Sequence, residues 1–156
     1  MTSARAERGS RPTAPKQTAY GDLHVLTAAC PATGRAEGRI APRLDAGAVQ
    51  VFLDGLSATI PAGTHVVPVR DGAGYHTAKA LRPPANLTLV GLPPYSPELN
   101  PVERLRLYLR QHFRSNRVYE DVDAVEEAAM AGWRAVRLDP ARAKSICRCE
   151  YLEACE

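Results

Sequence analysis

Four prolines crowd into LPPYSPELNPVERL, residues 92–105, at positions 93, 94, 97 and 101. Each locks its own φ near about −65° and removes a backbone donor. Each also pushes the residue before it out of the α region. Neither a helix nor a central strand can run through such a stretch. The chain must cross it as a stiff arm and enter a helix only at its end, with Asn100 as cap and Pro101 at the first helical position. A backbone held so firmly just ahead of Glu103 implies that the position of that carboxylate matters.

The flanking patterns alternate between strand and helix. Residues 1–19 are Arg, Ser, Pro and Ala with almost no large apolar side chains, and read as an extended lead-in. Tyr20–Cys30 (YGDLHVLTAAC) is predicted as a strand, PATGR at 31–35 as a turn, and Ala36–Arg43 (AEGRIAPR) as a weakly patterned second strand. Asp45 caps a predicted helix to about Ile60 whose apolar stripe is Val49, Phe52, Leu53, Leu56 and Ile60. His65–Arg70 (HVVPVR) reads as a short buried strand ending in the turn DGAGYH, and Asn86–Gly91 (NLTLVG) as another. From Asn100 a helix buries Val102, Leu105, Leu109 and Phe113. A helix over 121–136 buries Val122, Val125, Ala129, Trp133 and Val136, and a last short one starts at Asp139-Pro140. This order argues a mixed α/β sheet with helices packed on it.

At 156 residues, 45% apolar and 24% charged, the chain is long enough for one domain with a real core. No run approaches the roughly 18 apolar residues of a membrane span, and the first residues lack a signal-peptide core, so the expected compartment is the cytoplasm. Net charge is only +3, but Lys and Arg gather at 1–16 and 104–117 while acids gather at 119–127. That clustering keeps nucleic acid open as a partner. Of the four cysteines, Cys147, Cys149 and Cys155 lie close together without zinc-site spacing, and with Cys30 they read as reduced thiols.

Two acids carry the functional reading. Asp71 stands where an apolar strand gives way to Gly72-Ala73-Gly74, and sites in α/β sheets lie at the carboxyl ends of strands. Asp-Gly is also an ordinary turn pair, which would account for it without chemistry. Glu103 has a similar alternative as the third helical residue of a capping box begun by Asn100. At 100° per residue, however, Arg106, Arg110, Arg114 and Arg117 fall within about 60° of Glu103. A carboxylate heading such a stripe suits a metal ligand whose neighbouring cations hold phosphates, although a solvated basic face reads the same way.

DGAGYH at 71–76, a strand, and then LPPYSPELNPVERL resemble the DDE transposases of bacterial insertion sequences related to mariner elements. The likeness extends through YGDLHVLTAACPATG near the start and DPARAKSIC near the end. It implies a ribonuclease-H-like mixed sheet flanked by helices over residues 20–156, and metal-dependent DNA strand cleavage and transfer on Mg²⁺ or Mn²⁺ at a two-metal site. Asp71 and Glu103 map onto the second and third metal-binding catalytic acids. Beside them, the stripe Arg106, Arg110, Arg114 and Arg117 is the expected DNA-binding face, and His76 could position DNA or metal near Asp71, although a loop histidine without a partner is more often structural. The proline arm then serves to set Glu103 opposite Asp71.

The chain also departs from that pattern. The resemblance calls for a first aspartate on an opening strand upstream of AERGSRP (6–12), and no aspartate precedes Asp22, which lies at the entrance to what reads as the second strand. The helix-turn-helix module that reads element ends is missing too. Pro68 interrupts the strand before Asp71, Arg106 replaces a large aromatic, and Arg70 replaces an apolar residue. The expectation is an N-terminally truncated transposase domain lacking its first strand, inactive alone, with an exposed sheet edge that invites a homo-oligomer or an upstream fragment. The competing expectations are half of a split or frameshifted transposase, and a non-catalytic DNA-binding or regulatory fragment.

Overall fold

A computed structural model describes residues 24–71, 80–94, 96–114 and 119–149. Tyr20–Leu23, the turn from Gly72 through His76, Arg117 and Cys155 lie outside the described residues. The chain starts with an antiparallel hairpin of β1 (His24–Ala29) and β2 (Ala36–Ala41), in the register His24↔Ala41 to Ala29↔Ala36. Its turn closes through the Cys30 N–H donating to Arg35 O and the Gly34 N–H donating to Cys30 O, each at 2.8 Å. Gly34 takes φ +74°, and a Cβ there would strike Pro140 O, so the turn requires glycine twice over.

Helix α1 (Ala46–Thr59) starts as expected, with Asp45 Oδ1 accepting from the Ala48 N–H at 2.9 Å, a cap that contributes about 1 kcal/mol. Past α1 come β3 (Val69–Arg70) and β4 (Val90–Gly91), which pair in parallel as Val69↔Val90 and Arg70↔Gly91. A single bridge, Val66↔Leu87, precedes them. The continuous buried strands expected over His65–Arg70 and Asn86–Gly91 are therefore short ladders, with Val67 54% and Val90 44% exposed. Pro68 is the local reason: its O accepts from the Val90 N–H, but it has no N–H to return to the ladder.

The arm crosses a 3₁₀ turn at Pro97–Leu99 and enters α2 (Pro101–Leu109), where Asn100 Oδ1 accepts from the Val102 N–H at 3.2 Å. A π-helical turn, Arg110–Arg114, extends it. Helices α3 (Val122–Arg137) and α4 (Pro140–Ile146) are capped by Asp121 and Asp139. Every helix thus begins where a short polar side chain satisfies its first orphan donors.

The hairpin is covered on both faces. Leu26 and Ala41 pack against Val49 and Leu53 of α1, in a cluster that also holds Leu87 from beneath the parallel pair. Ala29 and Ala36, of opposite parity along their strands, turn to the other face. There they meet Leu105 of α2, Trp133 and Val136 of α3, and Ala143 and Cys147 beside α4. The mixed α/β order is as expected, but among the described residues it forms two separate two-stranded sheets, not one continuous sheet. Val122, expected in the core, is 39% exposed.

Candidate active site at the carboxyl ends of the parallel strands

Parallel pairing brings the ends of β3 and β4 side by side, and the Leu92 N–H donates to Arg70 O at 2.8 Å just beyond the last ladder pair. Asp71 leaves β3 at that point, half-buried. From the neighbouring strand end the proline arm leads to the cap at Asn100. A cleft of about 450 Å³ opens here, and its lining includes Asp71, Asn100, Pro101, Val102 and Arg106. Asp71 lines the cleft directly; Glu103 is not among its lining residues and follows one of them, Val102.

Glu103 is half-buried, and its Oε1 accepts from Arg106 Nη1 at 2.7 Å, one turn along the helix. It does not reach back to the Asn100 amide, so the capping-box alternative does not take form; the backbone contact from the Glu103 N–H to Asn100 O, 3.1 Å, closes that turn instead. Both partners of the ion pair are about two-fifths exposed. Such pairs contribute only about 0.2–0.5 kcal/mol. A cation competing for Glu103 therefore meets little resistance from Arg106.

Two members of the expected arginine stripe have described side chains. Arg106 and Arg110 are exposed, and Arg106 spends its charge on Glu103. At Arg110 the backbone widens into the π turn, so the 100° step that aligned Arg114 with Glu103 stops at Leu109. Arg117, His76 and the side chain of Arg114 lie outside the described residues.

Carboxylate oxygens are the donors that Mg²⁺ and Mn²⁺ prefer. The residues fit such an ion in kind but not in number, because among the described residues no three His, Cys, Asp or Glu side chains gather into a group able to hold a metal.

The cleft itself escaped the sequence reading. Its lining also includes residues 26–30 and 66–70 and the apolar residues Phe52, Leu56 and Ile60. Cys30 is among them. Burial there resists ionisation of the thiol, but hydrogen bonds from Thr33 and Ala32 and the Arg35 charge outweigh it and hold Cys30 below the usual thiol range.

Residues 2–126 match the DDE superfamily endonuclease family. The chain belongs to that family, which carries transposase-type nucleases. It is also 36% identical over 123 residues to the uncharacterized protein y4pE/y4sA of Sinorhizobium fredii, a match covering 79% of this chain and 91% of the relative. No solved structure matches. Among the described residues no helix is long and apolar enough to cross a membrane.

Proposed function

We propose that this chain furnishes two of the three acids of a mariner-related transposase catalytic unit with a ribonuclease-H-like sheet, acting on transposon-end and target DNA. Asp71 and Glu103 are its metal-binding carboxylates, and two acids alone leave a two-metal site one ligand short, so these residues by themselves cut no DNA. The observation that supports this most is the shared cleft: Asp71, at the carboxyl end of β3, and residues of the first turn of α2 line one cavity. A divalent ion, when bound there, supplies Lewis-acid stabilisation of the charge that develops in phosphoryl transfer. The protein's own part is positional. The parallel ladder places Asp71, the proline arm and Asn100 cap place Glu103, and Arg106 holds that carboxylate through a weak contact until an ion displaces it.

Two measurements test the reading. Titration of Mn²⁺ into the ¹⁵N-labelled chain should broaden the amide signals of Arg70–Asp71 and of Val102–Arg104 together, and both effects should vanish in Asp71→Asn. Broadening of one set without the other means the acids share no ion, and the assignment fails. Supercoiled plasmid incubated with the purified chain and Mg²⁺ or Mn²⁺ should stay intact; robust nicking that Asp71→Ala abolishes refutes the incomplete-site part.

A further inference from the structure

Helix α3 buries one face and leaves the other to solvent. Val125, Gly132, Trp133 and Val136 turn inward, where Trp133 lies over Gly38 of β2 and Gly132 meets Phe113 of the π turn. On the outer face Val122, Glu126, Met130, Arg134 and Leu138 follow one another at steps of four. Successive members turn by only about 40°, so they form one row about 24 Å long. Met130 is half-buried and the other four are exposed. Leu138 is the most exposed large apolar side chain among the described residues. Asp123 and Arg137, both exposed, flank the row. None of these residues lines the cleft.

The order along the row is apolar, acid, apolar, base, apolar. Reversed, it is apolar, base, apolar, acid, apolar. The row is therefore complementary to a copy of itself running the other way, about a centre at Met130. Within one helix the same charges cannot pair, because its acids and arginines lie at least seven positions apart and helix side chains reach partners three or four away. Among the described residues none of Asp123, Glu126, Arg134 and Arg137 forms an ion pair. Acids near the start of a helix and arginines near its end also suit the helix dipole. A dipole acts on charge alone, however, and gives no reason for large apolar side chains at both ends of an exposed row.

We propose that the outer row of α3 is a two-fold interface between copies of this chain. Two α3 helices pack antiparallel about Met130, each Val122 against the second copy's Leu138, with Glu126 facing Arg134 and Asp123 facing Arg137 across the axis. Two-fold symmetry makes each of these contacts occur twice. A crossing angle of about 20° keeps the row in contact along its length. One helix against its copy buries less than a standard interface, so pairing is weak and reversible, with a dissociation constant on the order of 10–100 µM. The surface is separate from the strand edges, and pairing through it leaves both clefts open. It stands whether or not Asp71 and Glu103 hold a metal.

The test is sedimentation velocity of the full chain from about 5 to 500 µM, over which the weight-average mass should rise from monomer toward dimer. Glu126→Arg sets like charges against Arg134 at both symmetric positions and should raise the dissociation constant about tenfold; Arg134→Glu should do the same. An equimolar mixture of the two variants should associate as tightly as the parent, because in the mixed pair every acid again faces an arginine. That rescue also separates lost pairing from lost folding. Leu138→Ala, which leaves the charges alone, should weaken pairing about fivefold. A chain that stays monomeric throughout overturns the interface. Association unchanged in either charge variant overturns it in favour of another surface, and a mixture no tighter than its components overturns the antiparallel register.

Discussion

Leu105 seats the helix that carries Glu103, and shortening it to alanine should loosen both the fold and the site. Its side chain is 0% exposed and packs in one cluster with Ala36, Trp133, Val136, Ala143 and Cys147. Loss of its branched end removes transfer free energy and leaves a cavity, and buried Leu→Ala changes cost about 2.7–5.0 kcal/mol according to how far the walls collapse. Here the walls come from β2, α3 and α4, three elements pinned independently, so little collapse is available and a loss of about 3–4 kcal/mol is expected. Against the roughly 5–15 kcal/mol of a typical domain this is a large fraction. Trp133, the sole tryptophan, lies in the same cluster and reports on it directly. Urea unfolding followed by its fluorescence, at a slope of about 2 kcal/mol/M, should show the midpoint of Leu105→Ala lower by about 1.5–2 M with the slope unchanged. Leu138→Ala, at a residue 83% exposed, should stay within about 0.5 kcal/mol of the parent. A loss below about 1 kcal/mol for Leu105→Ala would refute the packing argument.

A Cβ on Gly38 would fall onto the Trp133 indole, so Gly38→Ala should cost about 1–3 kcal/mol in the same assay; a neutral result would mean the ring does not rest on the strand backbone. Burial, reinforced by neighbouring Cys149, pushes the Cys147 thiol up to about 11, whereas Cys30 titrates below its ordinary value. Peptide mapping after brief alkylation at about pH 8 should find Cys30 modified well ahead of Cys147, and equal rates would contradict the placement of the two thiols. The folded state holds the Cys147 proton more tightly than the unfolded one. Its contribution to stability is therefore complete below 9.0 and should fall away as pH rises toward about 11, read as a declining urea midpoint.

The parts of this protein legible in its sequence are those closed by short-range contacts. Asp45, Asn100, Asp121 and Asp139 each cap the helix that follows, because a cap bond spans only two or three residues. The hairpin was legible from its turn and its alternation. The thin patterning of its second strand has a cause far away in the chain: Gly38 is small because Trp133 covers it. The π turn at Arg110 was invisible, since nothing in a helical repeat marks where the backbone will widen. It changes the angular step that leads from Arg110 to Arg114. Asp71 and Glu103 could be singled out as acids in stiffly held places, but neither the cleft that the strand end and the first turn of α2 both line nor the Arg106 contact could be read from spacing.

Helix starts, turns and the stiff approach to Glu103 were written in the sequence alone, through steric limits and hydrogen bonds that close within a turn. That β3 and β4 shrink to two-residue ladders, that hairpin and parallel pair form separate sheets among the described residues, and that residues of both line one largely apolar cleft were decided only by the tertiary structure. Strand pairing joins residues some twenty positions apart, as Val69↔Val90 shows. Such pairing is won or lost on loop-closure entropy and on which surfaces are present to be buried, and no local pattern encodes either.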